Sequence, residues 1–115
     1  MINDNNPKSP RISIATYRAK PGQEATLEKL VAQHIPTLRR LDLITERPAI
    51  LCRAEDGTFI EVFEWRSAEA VDRAHHHPEL GKIWEGMGTI GDFPPLSTIE
   101  ECQARFPNFY PVTLK

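Results

Sequence analysis

Glu61-Val62-Phe63-Glu64-Trp65-Arg66-Ser67-Ala68-Glu69-Ala70-Val71-Asp72-Arg73-Ala74-His75-His76-His77-Pro78, with its continuation to Trp84, changes character at Ser67. Before Ser67 the side chains alternate. Phe59, Glu61, Phe63 and Trp65 fall on one side, and Ile60, Val62 and Glu64 on the other. A period of two is the signature of a strand. Both sides are largely apolar, which predicts a central strand over Thr58–Trp65 covered on both faces. After Ser67 the chemistry is helical. The serine hydroxyl can accept from the free amides of a first turn, so Ser67 reads as an N-cap and Ala68–His76 as a helix. Pro78 is suited to a first helical position and predicts a second short helix through about Gly86.

Upstream, Glu55-Asp56-Gly57 reads as a hairpin turn. Before it, Leu43–Ala54 is the expected partner strand, irregular at Pro48. Arg11–Arg18 alternates as well, with Ile12, Ile14 and Thr16 facing one way and Ser13, Ala15 and Tyr17 the other. Pro21-Gly22 ends it. Leu27, Leu30, Val31, Ile35 and Leu38 recur at three and four, predicting a helix from near Gln23 to about Leu41 with one buried face. Pro36 lies within that pattern and predicts a kink or break. Downstream, Gly86, Gly88 and Gly91 are expected to close the helical region, and Phe93–Glu101 to form a fourth strand. The order strand, helix, strand, strand, helix, strand is a βαββαβ arrangement. The expected class is α+β and ferredoxin-like, an antiparallel sheet with helices on one face. Apolar residues on the sheet's other face call for a cover. A second copy of the same sheet is the simplest, which predicts a homodimer.

With 115 residues the chain is expected to be one domain over residues 11–101. Residues 1–10 read as a flexible N-terminal arm. Residues 102–115, carrying Phe106, Phe109 and Tyr110, read as an extension packing on its own or the partner subunit. A formal net charge of −2 argues against a nucleic-acid partner held by a basic patch. No apolar run approaches the roughly 20 residues that span a bilayer, so no membrane partner is expected. The polar start does not resemble a secretion signal. The two cysteines, Cys52 and Cys102, make neither a disulfide framework nor a metal-ligand spacing. A reducing, cytoplasmic setting is the resulting expectation.

Several features resemble the dimeric α/β-barrel superfamily, and within it the group related to antibiotic-biosynthesis monooxygenases. They are Tyr17-Arg18-Ala19-Lys20-Pro21-Gly22 at the end of the first strand, Asp56-Gly57-Thr58-Phe59 leading into the third, and Ser67–His75 opening the second helical segment. A further pattern, Trp65, Ser67, Glu69, Ala70, Ala74, His75, Pro78 and Trp84, resembles small bacterial proteins of that group. The resemblance covers residues 11–101. It implies a sheet-paired dimer and, for one branch, oxygenation of an apolar or aromatic small molecule without metal, flavin or other cofactor. Another branch breaks down haem with an Asn on the first strand, where this chain has Thr16 and Tyr17.

The candidate site follows from the residues. His75, His76 and His77 cannot converge on one ion, because consecutive helical side chains point about 100° apart. No metal site is therefore expected. Asp72 precedes His75 by three residues, the spacing of neighbours on a helix face. His75 oriented by Asp72 is the candidate catalytic pair, and an ordinary surface contact is its alternative. Trp65 and Trp84, with Phe63, either line a ligand pocket or simply fill the core. Glu61 shares a face with aromatic residues, so if buried it must be paired. Tyr17, Arg18 and Arg53 are the available partners, in a site or in a structural ion pair. His34 lies just before Pro36 and joins the pocket candidates. The expected function is a small monooxygenase-like enzyme. The alternative is a non-catalytic small-molecule-binding or structural homodimer.

Overall fold

Side chains at every second position of two neighbouring strands, most of them apolar, create the inner face on which the chain folds. A computed structural model describes residues 6–114. Its elements are β1 (Arg11–Ala19), α1 (Glu24–Arg40), β2 (Ile50–Arg53), β3 (Phe59–Trp65), α2 (Ala68–His75), α3 (Pro78–Ile90), β4 (Gly91–Asp92) and β5 (Tyr110–Pro111). The five strands form one sheet in the order β4-β1-β3-β2-β5, and every pairing is antiparallel. The α+β class and the antiparallel sheet match the expectation. Among the described residues no helix is long and apolar enough to cross a membrane.

The β1–β3 register places Ala15 opposite Glu61, Ser13 opposite Phe63 and Tyr17 opposite Phe59. Tyr17, Phe59, Phe63 and Trp65 then meet Leu27, Val31 and Leu38 of α1, Ala70 and Ala74 of α2, and Leu80, Ile83 and Met87 of α3 in one buried cluster. The other face of the sheet is different. Ile60 is buried there with Ala54 and Ile99, flanked by Cys52, Cys102 and Phe109. Further along, Ile12, Ile14 and Ile50 are 56%, 52% and 60% exposed. The central strand is thus covered fully on its helical face and only at one end on the other.

Helix α1 runs unbroken through Pro36, so the chain does not break there. Pro36 is itself exposed, while Val31, His34, Thr37 and Leu38 around it are buried. Burial on both sides of the proline outweighs its cost of about 3 kcal/mol. The second strand is shorter than expected. Leu43–Thr45 still touches β3, through Thr45 N–H to the Glu64 carbonyl (2.9 Å) and Arg66 N–H to the Leu43 carbonyl (3.0 Å). The chain then departs before Pro48 and regular pairing resumes at Ile50.

The expected helix boundaries hold at Ser67, whose hydroxyl accepts from Ala70 N–H at 3.0 Å. They fail at the far end, where α3 continues to Ile90 with Gly86 and Gly88 inside it. The expected strand over Phe93–Glu101 is also absent. Only Gly91–Asp92 pairs with β1, and two short 3-10 turns follow at Leu96–Thr98 and Glu100–Gln103. Pro94 and Pro95 have no N–H to donate to a ladder, which stops β4 after two residues.

Both ends of the described chain are tied down. The Pro7 carbonyl accepts from Ala68 N–H at 3.0 Å, at the start of α2. Of the expected N-terminal arm, residues 1–5 lie outside the described residues. The tail adds β5 to the outer edge of β2, with Val112 N–H on the Leu51 carbonyl at 2.9 Å.

Two glycines separate opposite effects. A Cβ on Gly91 would lie 2.0 Å from the Arg18 carbonyl oxygen, so this glycine permits the close β1–β4 approach. Nothing lies within 4 Å of a Cβ on Gly81, inside α3. Gly91→Ala is expected to destabilise the fold by about 1–3 kcal/mol through overpacking. Gly81→Ala is expected to stabilise it by about 0.5–1 kcal/mol through helix propensity. Urea unfolding of the two variants measures both signs.

Candidate functional site

A cavity arises between sheet and helices because β1 presents small side chains where β3 presents large ones. Ser13 and Ala15 stand beside Phe63 and Glu61 in the sheet and leave the space above them unfilled. Aromatic residues enclose it. The cavity measures about 370 Å³ and is lined by Ser13, Ala15, Tyr17, His34, Phe63, Trp65, Val71, His75, Trp84 and Phe93. That is the small end of the roughly 300–1,000 Å³ typical of small-molecule sites. His75 and Phe93 are exposed, so the cavity opens to solvent beside them.

A buried polar network forms its deep side. Glu61 and His34 are each 2% exposed. Glu61 Oε1 accepts from the Tyr17 hydroxyl at 2.8 Å and lies 2.8 Å from His34 Nδ1. The Tyr17 oxygen and His34 Nδ1 are 3.2 Å apart. On the other side of the ring, Trp84 Nε1–H donates to His34 Nε2 at 3.0 Å. An indole nitrogen can only donate. Nε2 therefore carries the lone pair, Nδ1 carries the proton, and that proton points to Glu61. The hydrogen-bond geometry thus selects the Nδ1–H tautomer, with Glu61 Oε1 facing the Tyr17 hydroxyl and His34 Nδ1.

The ring packing holds this geometry. His34 lies edge-on to Phe63 and Tyr17, with centroids 5.7 and 6.0 Å away. Trp65 is fixed by Nε1–H donating to Ser13 Oγ at 2.8 Å. Tyr17 is the group whose ionisation the site alters most. Burial, and then the charge and hydrogen bond of Glu61, push its pKa far above the usual 10.

The structure gathers Tyr17, His34, Phe63, Trp65, Trp84 and His75 around one cavity, with Glu61 directly behind Tyr17 and His34. It does not gather Asp72. That residue lines a separate surface hollow with Pro7, Ser67, Ala68, Glu69 and Arg73. Among the described residues no hydrogen bond joins Asp72 to His75. His75 Nδ1 instead lies 2.9 Å from the Val71 carbonyl, and its ring packs tilted against Trp84 with centroids 5.2 Å apart. The other two histidines serve the backbone. His76 Nδ1 meets the Asp72 carbonyl at 2.9 Å, and His77 Nδ1 accepts from Glu79 N–H at 3.2 Å to cap α3.

The carboxylate-oriented histidine is therefore His34 with Glu61, from two segments 27 residues apart. Sequence reasoning missed Ser13, Ala15, Val71 and Phe93. Small residues at alternate positions of β1 were the signal for the first two. Phe93 has no such signal, because it depends on where β4 stops. No family model matches the chain, and no curated protein is significantly similar to it.

Tyr17 supplies a pH signature. The native state keeps a phenolic proton that the unfolded chain releases near pH 10, so this contribution to stability is complete below about pH 10 and is lost as pH rises beyond it. Tyr17→Phe is expected to lower stability at neutral pH by about 1–3 kcal/mol, because Glu61 loses a donor. It is also expected to flatten the decline above pH 10. Denaturant unfolding across the alkaline range, compared with wild type, checks both.

Proposed function

We propose that this protein is a small monooxygenase-like enzyme that acts on an apolar or aromatic small molecule, without metal or flavin, and that His34 backed by Glu61 moves the proton. One observation carries the reading: a buried histidine, oriented by a buried carboxylate, borders an aromatic-lined cavity of about 370 Å³ that opens to solvent. Glu61 holds the imidazole in the Nδ1–H form, which directs the basic lone pair of Nε2 away from it. When Nε2 takes a proton, the product is an imidazolium beside a carboxylate, a neutral pair in an apolar surround. The substrate is left as an electron-rich anion, the form that reduces dioxygen most readily.

The resemblance to antibiotic-biosynthesis monooxygenases is part of this proposal. The strand order β4-β1-β3-β2, with helix-bearing crossovers, supports a ferredoxin-like domain. Its dimeric barrel is supported by the sheet's uncovered face. Ile14 and Ile50 both pair with Val62, so the exposed isoleucines continue across three strands. An apolar row of that kind is suited to a second copy of itself.

A second reading is a non-catalytic binding protein. The observation favouring it is that Trp84 already occupies the lone pair of His34. Oxygen uptake with a panel of hydroxylated aromatic compounds separates the two. The enzyme reading expects uptake matched to product, and a loss of about 10²–10⁴-fold in His34→Ala. Binding of the same compounds with no uptake would assign the protein to the second reading.

The oligomer has its own test. Ile14→Asp places a charge in the middle of the uncovered row. Native mass spectrometry is expected to find a dimer for wild type and a monomer for this variant. A monomeric wild type would end the barrel reading and leave the cavity, which lies on the other face, untouched.

A further inference from the structure

Donor and acceptor accounting in the cavity narrows what can bind there, on the proposed reading that the cavity is a ligand site. The only lone pair of the His34 ring, at Nε2, is held by the Trp84 indole N–H. Any ligand that engages this nitrogen must bring a hydrogen of its own and displace the indole. Trp84 can yield, since it is only half-buried and packs against the exposed ring of His75, so its freed N–H can reach water at the opening. Tyr17 cannot serve as an alternative donor, because its hydroxyl hydrogen is committed to Glu61, and the Ser13 hydroxyl, which accepts from the Trp65 indole, offers a ligand only a neutral donor.

The charge balance points the same way. Glu61 is a carboxylate 2% exposed, immediately behind the wall formed by Tyr17 and His34. Among the described residues no lysine or arginine lines the cavity. A second anion would meet an unscreened like charge and would lose its own hydration. A neutral hydroxyl has neither penalty. Its hydrogen bond to Nε2 is strengthened by the carboxylate on the far side of the imidazole, because bonds in such a chain polarise one another.

We infer that the cavity selects a neutral ring compound bearing one weakly acidic O–H or N–H, which replaces the Trp84 indole at His34 Nε2, and that it refuses carboxylates of the same shape. Phe63, Trp65 and Phe93 take the ring, and His34 takes the hydrogen.

The test uses the full-length protein at neutral pH and three matched probes: 2-naphthol, 2-methoxynaphthalene and 2-naphthoate. Calorimetric titration gives the affinities. The indole N–H resonance of Trp84, assigned by comparison with Trp84→Phe, reports displacement. The expected order is naphthol first, the ether about tenfold weaker and the naphthoate weaker again, a tenfold step being what one good hydrogen bond supplies. The indole resonance is expected to move with naphthol and to stay in place with the ether. Equal binding of naphthol and ether, a fixed resonance, or tighter binding of naphthoate would overturn the inference and leave the cavity as a binding site. Failure of all three to bind would overturn the cavity reading along with it.

Discussion

Glu61 is a carboxylate with almost no contact with water, and the rest of the interior is arranged around that fact. A buried charge costs several kcal/mol unless donors surround it. Here the donors come from β1, as the Tyr17 hydroxyl, and from α1, as His34 Nδ1–H. Trp84 of α3 then completes the histidine from the other side. One charge on the central strand therefore fixes the position of a neighbouring strand and of two helices. Apolar packing alone would hold these elements together, but it would not decide which way each ring points.

The cavity is the counterpart of this network. Its walls are the same aromatic rings that lock His34, and its floor is the run of small residues on β1. Filling it with a larger side chain at Ala15 would crowd Glu61 directly across the sheet. The void and the buried charge are thus two results of one register. The sheet's other face shows what happens without such a demand. It is covered at one end by the segment around Ile99 and elsewhere leaves isoleucines in solvent.

Element types were legible wherever the hydrophobic period was long. The alternation over Phe59–Trp65 and the three-four spacing from Leu27 to Leu38 gave a strand and a helix at close to their final bounds. Legibility failed where burial competed with local preference. Pro36 argued for a break, yet the packing of its neighbours carried the helix through. Leu96, Thr98 and Ile99 had strand character, yet two prolines stopped the ladder and Ile99 was buried from the link between two 3-10 turns instead. Of the site, the sequence showed the aromatic residues and the need for Glu61 to find a partner. It paired a carboxylate with His75 and not with His34, because three adjacent histidines with Asp72 upstream were more conspicuous than His34 alone.

By itself, the sequence determined the periodicities, the Ser67 cap, the hairpin turn and the requirement that a carboxylate on an apolar face be satisfied. These are local properties, readable over a few residues. The sequence named Tyr17 among three possible partners; that Tyr17 and His34, and not Arg18 or Arg53, satisfy that carboxylate was decided only in three dimensions. Tyr17, His34, Glu61 and Trp84 are far apart along the chain, and nothing in their local spacing reports that they meet. Their convergence depends on the β1–β3 register and on α1 continuing past Pro36. Together these place a hydroxyl, an imidazole and an indole around one buried charge.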